Sequence, residues 1–138
     1  MENLNITPQT IVYDLGCGKG DFLFAAEKYG ATELVGFEMS PLLVWWGQFK
    51  AKLKHSKVQI RCEDFFNADI SKADVIYLFL VQAVVNKLAT KLKQETKNGA
   101  VVVCLGDIVP GLQLEKIEDR KLNGEKSAKI YFYKNIKS

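Results

Sequence analysis

Apolar and polar positions follow two rhythms along this chain. Thr10–Leu15 (TIVYDL), Glu33–Glu38 (ELVGFE), Val58–Cys62 (VQIRC), Ala73–Leu80 (ADVIYLFL) and Ala100–Leu105 (AVVVCL) are short runs rich in β-branched and aromatic residues. Such runs read as strands, and the near-continuous apolar ones as strands covered on both faces. Between them, apolar residues recur at helical spacing: in Phe22–Tyr29, in a segment from Pro41 to about Lys54 (positions 42, 43, 45, 46, 49 and 53), and in Val81–Thr96 (positions 81, 84, 85, 88 and 92). The punctuation agrees. Asp21 is available as an N-cap for the first helix, and Ser40-Pro41 supplies an N-cap and a first-turn proline for the second. Lys50, Lys52 and Lys54 suit the dipole at the end of the second helix, and Asn98-Gly99 ends the third. Neighbouring helix positions point ~100° apart, so Trp45 and Trp46 cannot both face a sheet. The pattern predicts core packing with one indole partly exposed; the alternative is an indole at a ligand rim or a partner surface.

Strands separated by helices predict an α/β fold, a mostly parallel sheet with helices on both faces. The last thirty or so residues change character: Leu112–Leu122 and Ala128–Lys134 carry β-formers on either side of Asn123-Gly124, a strong hairpin signal. The parallel sheet is therefore expected to end in a C-terminal antiparallel hairpin. No repeat, low-complexity tract or long linker divides the chain, so residues 1–138 read as a single domain.

Composition narrows the function class. The formal charge of +3 is mildly basic. Many lysines (Lys50, Lys52, Lys54, Lys87, Lys91, Lys93, Lys97) fall where solvated helix faces are expected, so a nucleic-acid partner is not favoured. Cys17, Cys62 and Cys104 are odd in number and form no CxxC pair, and His55 is the only histidine; no metal site is expected. Free thiols suggest a cytoplasmic setting. The polar start of the chain lacks a signal-peptide pattern, and the Val75–Val85 run is too short for a membrane span and contains Gln82. A monomer is expected.

The chemistry concentrates in Val12-Tyr13-Asp14-Leu15-Gly16-Cys17-Gly18-Lys19-Gly20-Asp21. A glycine-rich turn between first strand and first helix lets a ligand approach the backbone at the carboxyl edge of a sheet. The spacing is G-x-G-x-G, neither the dinucleotide G-x-G-x-x-G nor a P-loop. Asp14 and Asp21 flank the glycines, where they would repel a diphosphate and favour a cofactor bearing a sulfonium and an ammonium group. S-adenosylmethionine is such a cofactor. Glu38 ends the second strand about twenty residues on, where an acidic side chain accepts from ribose hydroxyls. Asp64 follows the third strand, placed to accept from an adenine amino group, with Phe65 to cover a ring face.

The segments VYDLGCGKGDF, LVGFEMSP, CEDFF and DVIYLFL resemble, in order and at family spacing, motifs I, post-I, II and IV of class I S-adenosylmethionine-dependent methyltransferases. The resemblance covers about Ile11 to Leu105 and implies a Rossmann-like, seven-stranded sheet with the last strand antiparallel. It places Asp14, Gly16 and Gly18 toward the methionine end of the cofactor, Glu38 on the ribose, Met39 beside the adenine, and Asp64 and Phe65 at the adenine edge, with Cys17 of the same loop also cofactor-binding. The stretches Glu38–Val44 and Leu78–Val81 look closest to small protein-lysine methyltransferases, the archaeal broad-specificity and mitochondrial ATP-synthase c-subunit types. This implies a protein substrate with an accessible lysine, and substrate-side candidates Tyr77, Phe79 and Leu80, with no dedicated catalytic base required. The segment Cys104–Leu112 departs from that group's pattern, and the absence of Asn/Asp-Pro-Pro-Tyr after the fourth strand counts against methylation of adenine, cytosine or glutamine. The alternatives are a methyltransferase acting on RNA or a small molecule, or a non-catalytic cofactor-binding relative. A nicotinamide oxidoreductase is disfavoured by the loop spacing and its carboxylates.

Overall fold

The computed structural model describes residues 1, 4–121 and 124–137. In chain order these form β1 (Ile11–Leu15), α1 (Asp21–Lys28), β2 (Glu33–Glu38), α2 (Pro41–Leu53), β3 (Val58–Cys62), β4 (Val75–Leu78), α3 (Gln82–Glu95), β5 (Val101–Leu105), β6 (Gln113–Lys121) and β7 (Ser127–Lys134). The strands make a seven-stranded sheet in the order β3-β2-β1-β4-β5-β7-β6. Neighbours among β1 to β5 pair in parallel, and β7 runs antiparallel to both β5 and β6. The strand order reverses between β1 and β4, and such a switch point opens a crevice at the carboxyl ends of the strands. Gly124 takes a left-handed conformation in the β6–β7 turn; Leu122 and Asn123, expected to lead into that turn, lie outside the described residues.

Side chains alternate across the sheet, and each face has its own core. On one face Val85, Leu88 and Leu92 of α3 pack on Tyr13, Leu15, Ile76, Leu78, Val102 and Cys104. On the other, Leu23, Phe24 and Ala26 of α1 and Val44 and Ala51 of α2 cover Val12, Leu34, Ile60, Val75 and Val103. Fully burying an aliphatic side chain of this size contributes ~1.5–3 kcal/mol, so the α3 stripe alone fixes which way that helix faces. Its end is sealed from afar: the buried Asn135 amide donates to the carbonyls of Lys93 and Thr96 and to Thr96 Oγ1, at 3.0, 3.1 and 2.6 Å.

Three local expectations change. Asp21 is the first helical residue of α1 and not its cap; Gly20, in a left-handed conformation with φ 91°, holds the N-cap position with no side-chain cap. A glycine is needed there because the chain turns sharply out of the loop, and that conformation disfavours a side chain. β4 is shorter than the apolar run that encodes it, because Phe79 and Leu80 leave the ladder to line the edge of the sheet. Neither Trp45 nor Trp46 packs in the core: α2 turns Val44, Gly47 and Ala51 inward and leaves both indoles half exposed. The inward stripe of α2 is made of small residues because the helix lies against the glycine loop. A Cβ on Gly47 would stand 2.8 Å from the Lys19 carbonyl oxygen and collide with Ile60.

Candidate functional site

One row of paired residues crosses the sheet beneath the crevice: Ile60, Gly36, Asp14, Tyr77, Val103 and Phe132. Asp14 is its single carboxylate, 3 % exposed. Among the described residues nothing donates a hydrogen bond to its side chain. Burial, and then the nearby Glu38 carboxylate, push its pKa well above the usual range. Gly36 keeps the row open, since a Cβ there would lie 2.8 Å from the Cys17 Cβ and from Leu23 Cδ1.

The loop above is held by backbone and by Glu38. The amides of Gly16 and Cys17 both donate to the Phe37 carbonyl, at 2.8 and 3.1 Å. Glu38 spans the gap: Oε1 accepts from the Gly18 amide and Oε2 from the Ser40 amide, each at 3.0 Å. Both carboxylate oxygens retain lone pairs for further donors. Gly16 and Gly18 have φ of 78° and 57°, and a Cβ on Gly18 would meet nothing within 4 Å. The loop is thus open to space at Gly18 and covered by side chains at Gly16 and Gly20. Burial, followed by the charges of Asp14 and Glu38, pushes the Cys17 thiol upward, so it stays protonated.

The segment after β3 closes the far side. Its Glu63 amide donates to the Glu38 carbonyl at 3.2 Å. Asp64 Oδ1 accepts from the Phe66 amide at 3.0 Å, shaping the turn that carries Phe65. Phe65 and Leu80 meet over the loop: a Cβ on Gly16 would lie 3.7 Å from Phe65 Cε1 and 2.7 Å from Leu80 Cδ2. Met39 stands exposed at the rim, its carbonyl accepting from the Cys62 thiol at 3.8 Å.

Tyr77 turns to the α1 side, stacked on Phe22 with ring centroids 3.7 Å apart and planes 6° from parallel. Burial, then the Asp14 charge, raise its phenol to about 12, so it stays protonated at neutral pH. Tyr77, Phe22, the exposed Phe79, Leu105, Asp21 and Arg120 line a cavity of about 340 Å³ beside the loop. Another cavity, of about 380 Å³, lies at the amino end of β5, around Val101 and Lys134 and away from every predicted site residue. The Gln82 amide joins the loops after β4 and β5, donating to the Ile108 carbonyl at 2.7 Å and accepting from its amide at 3.0 Å. His55 stands exposed just past the end of α2, away from this chemistry. Among the described residues no group of three His, Cys, Asp or Glu side chains is placed to hold a metal ion.

The structure therefore brings Asp14, Gly16, Cys17, Gly18, Glu38, Phe65 and Leu80 together around one loop, with Met39 and Asp64 at its rim and Tyr77 and Phe79 in the adjoining cavity. Phe22, Gly36 and Gly47 were not legible as site-shaping residues. Their roles depend on strand pairing and helix approach, which leave no mark on local sequence.

A carboxylate buried without a donor, a second one bracing a glycine cradle, and their place at the switch point of a parallel sheet define a class I S-adenosylmethionine-dependent methyltransferase. The family model of the ANTKMT methyltransferase domain matches residues 14–116, and the chain belongs to that family. It is 31 % identical over 131 residues to a protein-lysine N-methyltransferase of Saccharolobus islandicus, covering 89 % of this chain and 80 % of that protein. It is 32 % identical over 95 residues to the ATP synthase c-subunit lysine N-methyltransferase of Xenopus laevis, covering 67 % of this chain but only 42 % of that longer protein. The fold also matches an RNA methyltransferase from Salinibacter ruber solved with S-adenosyl-L-homocysteine, with a TM-score of 0.86 and 28 % identity, over 99 % of this chain and 88 % of that one.

Proposed function

We propose that this chain transfers the methyl group of S-adenosylmethionine to the side-chain amine of a lysine in a protein substrate. The observation that carries the reading is a carboxylate-braced glycine cradle beside Asp14, adjoined by an aromatic cavity that Tyr77, its neighbour in the sheet row, lines. The lysine-methylating relatives support the choice of acceptor. The free thiols of Cys17, Cys62 and Cys104 favour a reducing compartment such as the cytoplasm. No helix among the described residues is long and apolar enough to cross a membrane.

In this reading Asp14 faces the positive end of the cofactor, the glycine backbone at Gly16 and Gly18 lies against its methionine portion, Glu38 takes the ribose hydroxyls, and Asp64 and Phe65 hold the adenine. When bound, S-adenosylmethionine supplies a methyl group already activated on a cationic sulfur. What remains for the protein is to place and desolvate the acceptor. Phe22, Tyr77 and Phe79 offer apolar walls for a lysine stem, with Asp21, paired with Lys50, and Arg120 at the edge. Once inside, loss of hydration lowers the amine's pKa, so the proton leaves to water without a dedicated base. Tyr77 cannot serve as that base, because its phenol holds its own proton at neutral pH. Its hydroxyl instead offers a hydrogen bond that orients the amine.

A second reading, methyl transfer to RNA, is favoured by the likeness to the Salinibacter ruber enzyme. Labelled S-adenosylmethionine incubated with the chain and a mixture of protein and RNA separates the two. Label is expected on lysine in the protein fraction; label confined to RNA refutes the lysine reading.

A further inference from the structure

A helix that packs on a sheet normally shows one apolar face and one polar face. α3 follows that rule: its outward positions are Ala83, Asn86, Lys87, Thr90, Lys93 and Gln94. α2 does not. Opposite its buried Val44, Gly47 and Ala51 it presents Leu42, Trp45, Trp46, Phe49 and Leu53, which are 74, 57, 50, 44 and 66 % exposed. These five sit at i, i+3, i+4, i+7 and i+11, one continuous stripe along the outer face. The rings form a platform: Trp45 stacks on Phe49 at 5.7 Å between centroids, with Trp46 6.3 Å from Phe49 and 6.2 Å from Trp45. Nothing among the described residues covers it.

The charge around this stripe says what does. From Met39 to Cys62 the chain has no aspartate or glutamate, while Lys50, Lys52, Lys54, Lys57 and Arg61 all fall in that stretch. On the helix Lys52 lies along one border of the stripe and Lys50 and Lys54 along the other. Lys50 pairs with Asp21 at 3.3 Å, and Lys50 and Lys54 both lie over the Phe24 ring of α1, so Lys52 is the lysine that borders the stripe most openly; with no acid in this stretch of chain, the rim stays positive. A second copy laid on this face would set lysines against lysines with no acid of α2 to offset them. Indole and phenyl rings over an aliphatic base, bordered by lysines, are instead the composition of a helix lying in the headgroup region of a bilayer.

We propose that α2 docks this domain flat on an anionic lipid surface, with Leu42, Trp45, Trp46, Phe49 and Leu53 in the headgroup and acyl boundary and the lysines on lipid phosphates. The stripe begins immediately after Glu38 and Met39, so docking places the mouth of the cofactor cradle next to the membrane plane. This goes beyond the acceptor reading and does not depend on it.

The test is co-sedimentation of the full chain with vesicles of phosphatidylcholine alone, or of phosphatidylcholine mixed with phosphatidylglycerol, at low and high salt, alongside tryptophan emission. Binding is expected to be at least tenfold stronger on the mixed vesicles, to weaken with salt, and to shift the emission to the blue. Trp45→Ser with Phe49→Ser is expected to lower partitioning at least tenfold, and Lys52→Glu to lower it about fivefold or more, since each near-surface lysine contributes roughly that factor. Both variants should keep the parent melting curve and S-adenosyl-L-homocysteine affinity, which separates failure here from failure of the methyltransferase reading. Equal binding to both vesicle types, or none, overturns the proposal. So does a concentration-dependent dimer that Trp45→Ser with Phe49→Ser abolishes, which would assign the face to a second copy.

Discussion

Replacing Asp14 by asparagine should move stability and binding in opposite directions. The carboxylate is buried in the sheet row between Gly36 and Tyr77, receives no donor among the described residues and feels the charge of Glu38. Its folded-state pKa is therefore raised above its unfolded value. The folded protein binds the extra proton between those two values, so stability of the ligand-free protein is greatest below the unfolded pKa and falls as pH rises through the folded one. The Asp14→Asn change would keep the shape and remove the titration. A buried polar group left without a partner costs ~1–3 kcal/mol, and a charged one more; among the described residues no fully buried side-chain oxygen lacks a partner, so the Asp14 oxygens keep some contact with solvent and bear only part of that penalty. The amide keeps part of that penalty, so the variant should gain ~1–2 kcal/mol at neutral to mildly alkaline pH, roughly 3–8 °C in Tm for a chain of this size. It should also lose ~1.5–3 kcal/mol of interaction with a cationic ligand, on the order of 10–100-fold in affinity. Thermal melts across pH, with and without S-adenosylmethionine, read both effects. A variant melting below the parent without ligand at neutral pH, or keeping the parent's ligand-induced shift, would refute the role given to Asp14.

Glu38→Ala removes the acceptor of the Gly18 and Ser40 amides; calorimetry should find S-adenosylmethionine binding at least tenfold weaker, with ~1–3 kcal/mol of stability lost. Gly47→Ala would gain ~1 kcal/mol on an exposed helix; here the methyl meets Ile60 and the Lys19 carbonyl, and overpacking of ~1–3 kcal/mol should reverse the sign and loosen the glycine loop, read as a lower Tm. Asn135→Ala strips the donors from the end of α3 and should cost ~2–3 kcal/mol, with faster hydrogen exchange in the last turn of that helix.

Much of the fold was legible because its signals are local. β1, β2, β3 and β5 were readable from short apolar runs, α3 from its stripe, and α2 from Ser40-Pro41. The glycines and carboxylates of the cradle were legible for a related reason: a close backbone approach leaves only glycine as an option, and a cationic ligand calls for acids at strand ends. Asp21 misled because a residue one place inside a helix and its cap have the same composition. The tryptophans misled because an apolar stripe does not say which side of a helix meets the sheet.

The sequence by itself determined which segments become strands and helices, that the sheet is parallel until its final hairpin, and where its glycine loop lies, since each rests on periodicity or on a backbone conformation. Only the tertiary structure decided that β1 lies between β2 and β4, setting Asp14 beside Tyr77 in one row. It also decided that Asn135 seals a helix some forty residues earlier, and that the outer face of α2 stays bare. These depend on which distant surfaces meet, and the energy that selects among them is summed over the whole core rather than carried by any stretch of chain.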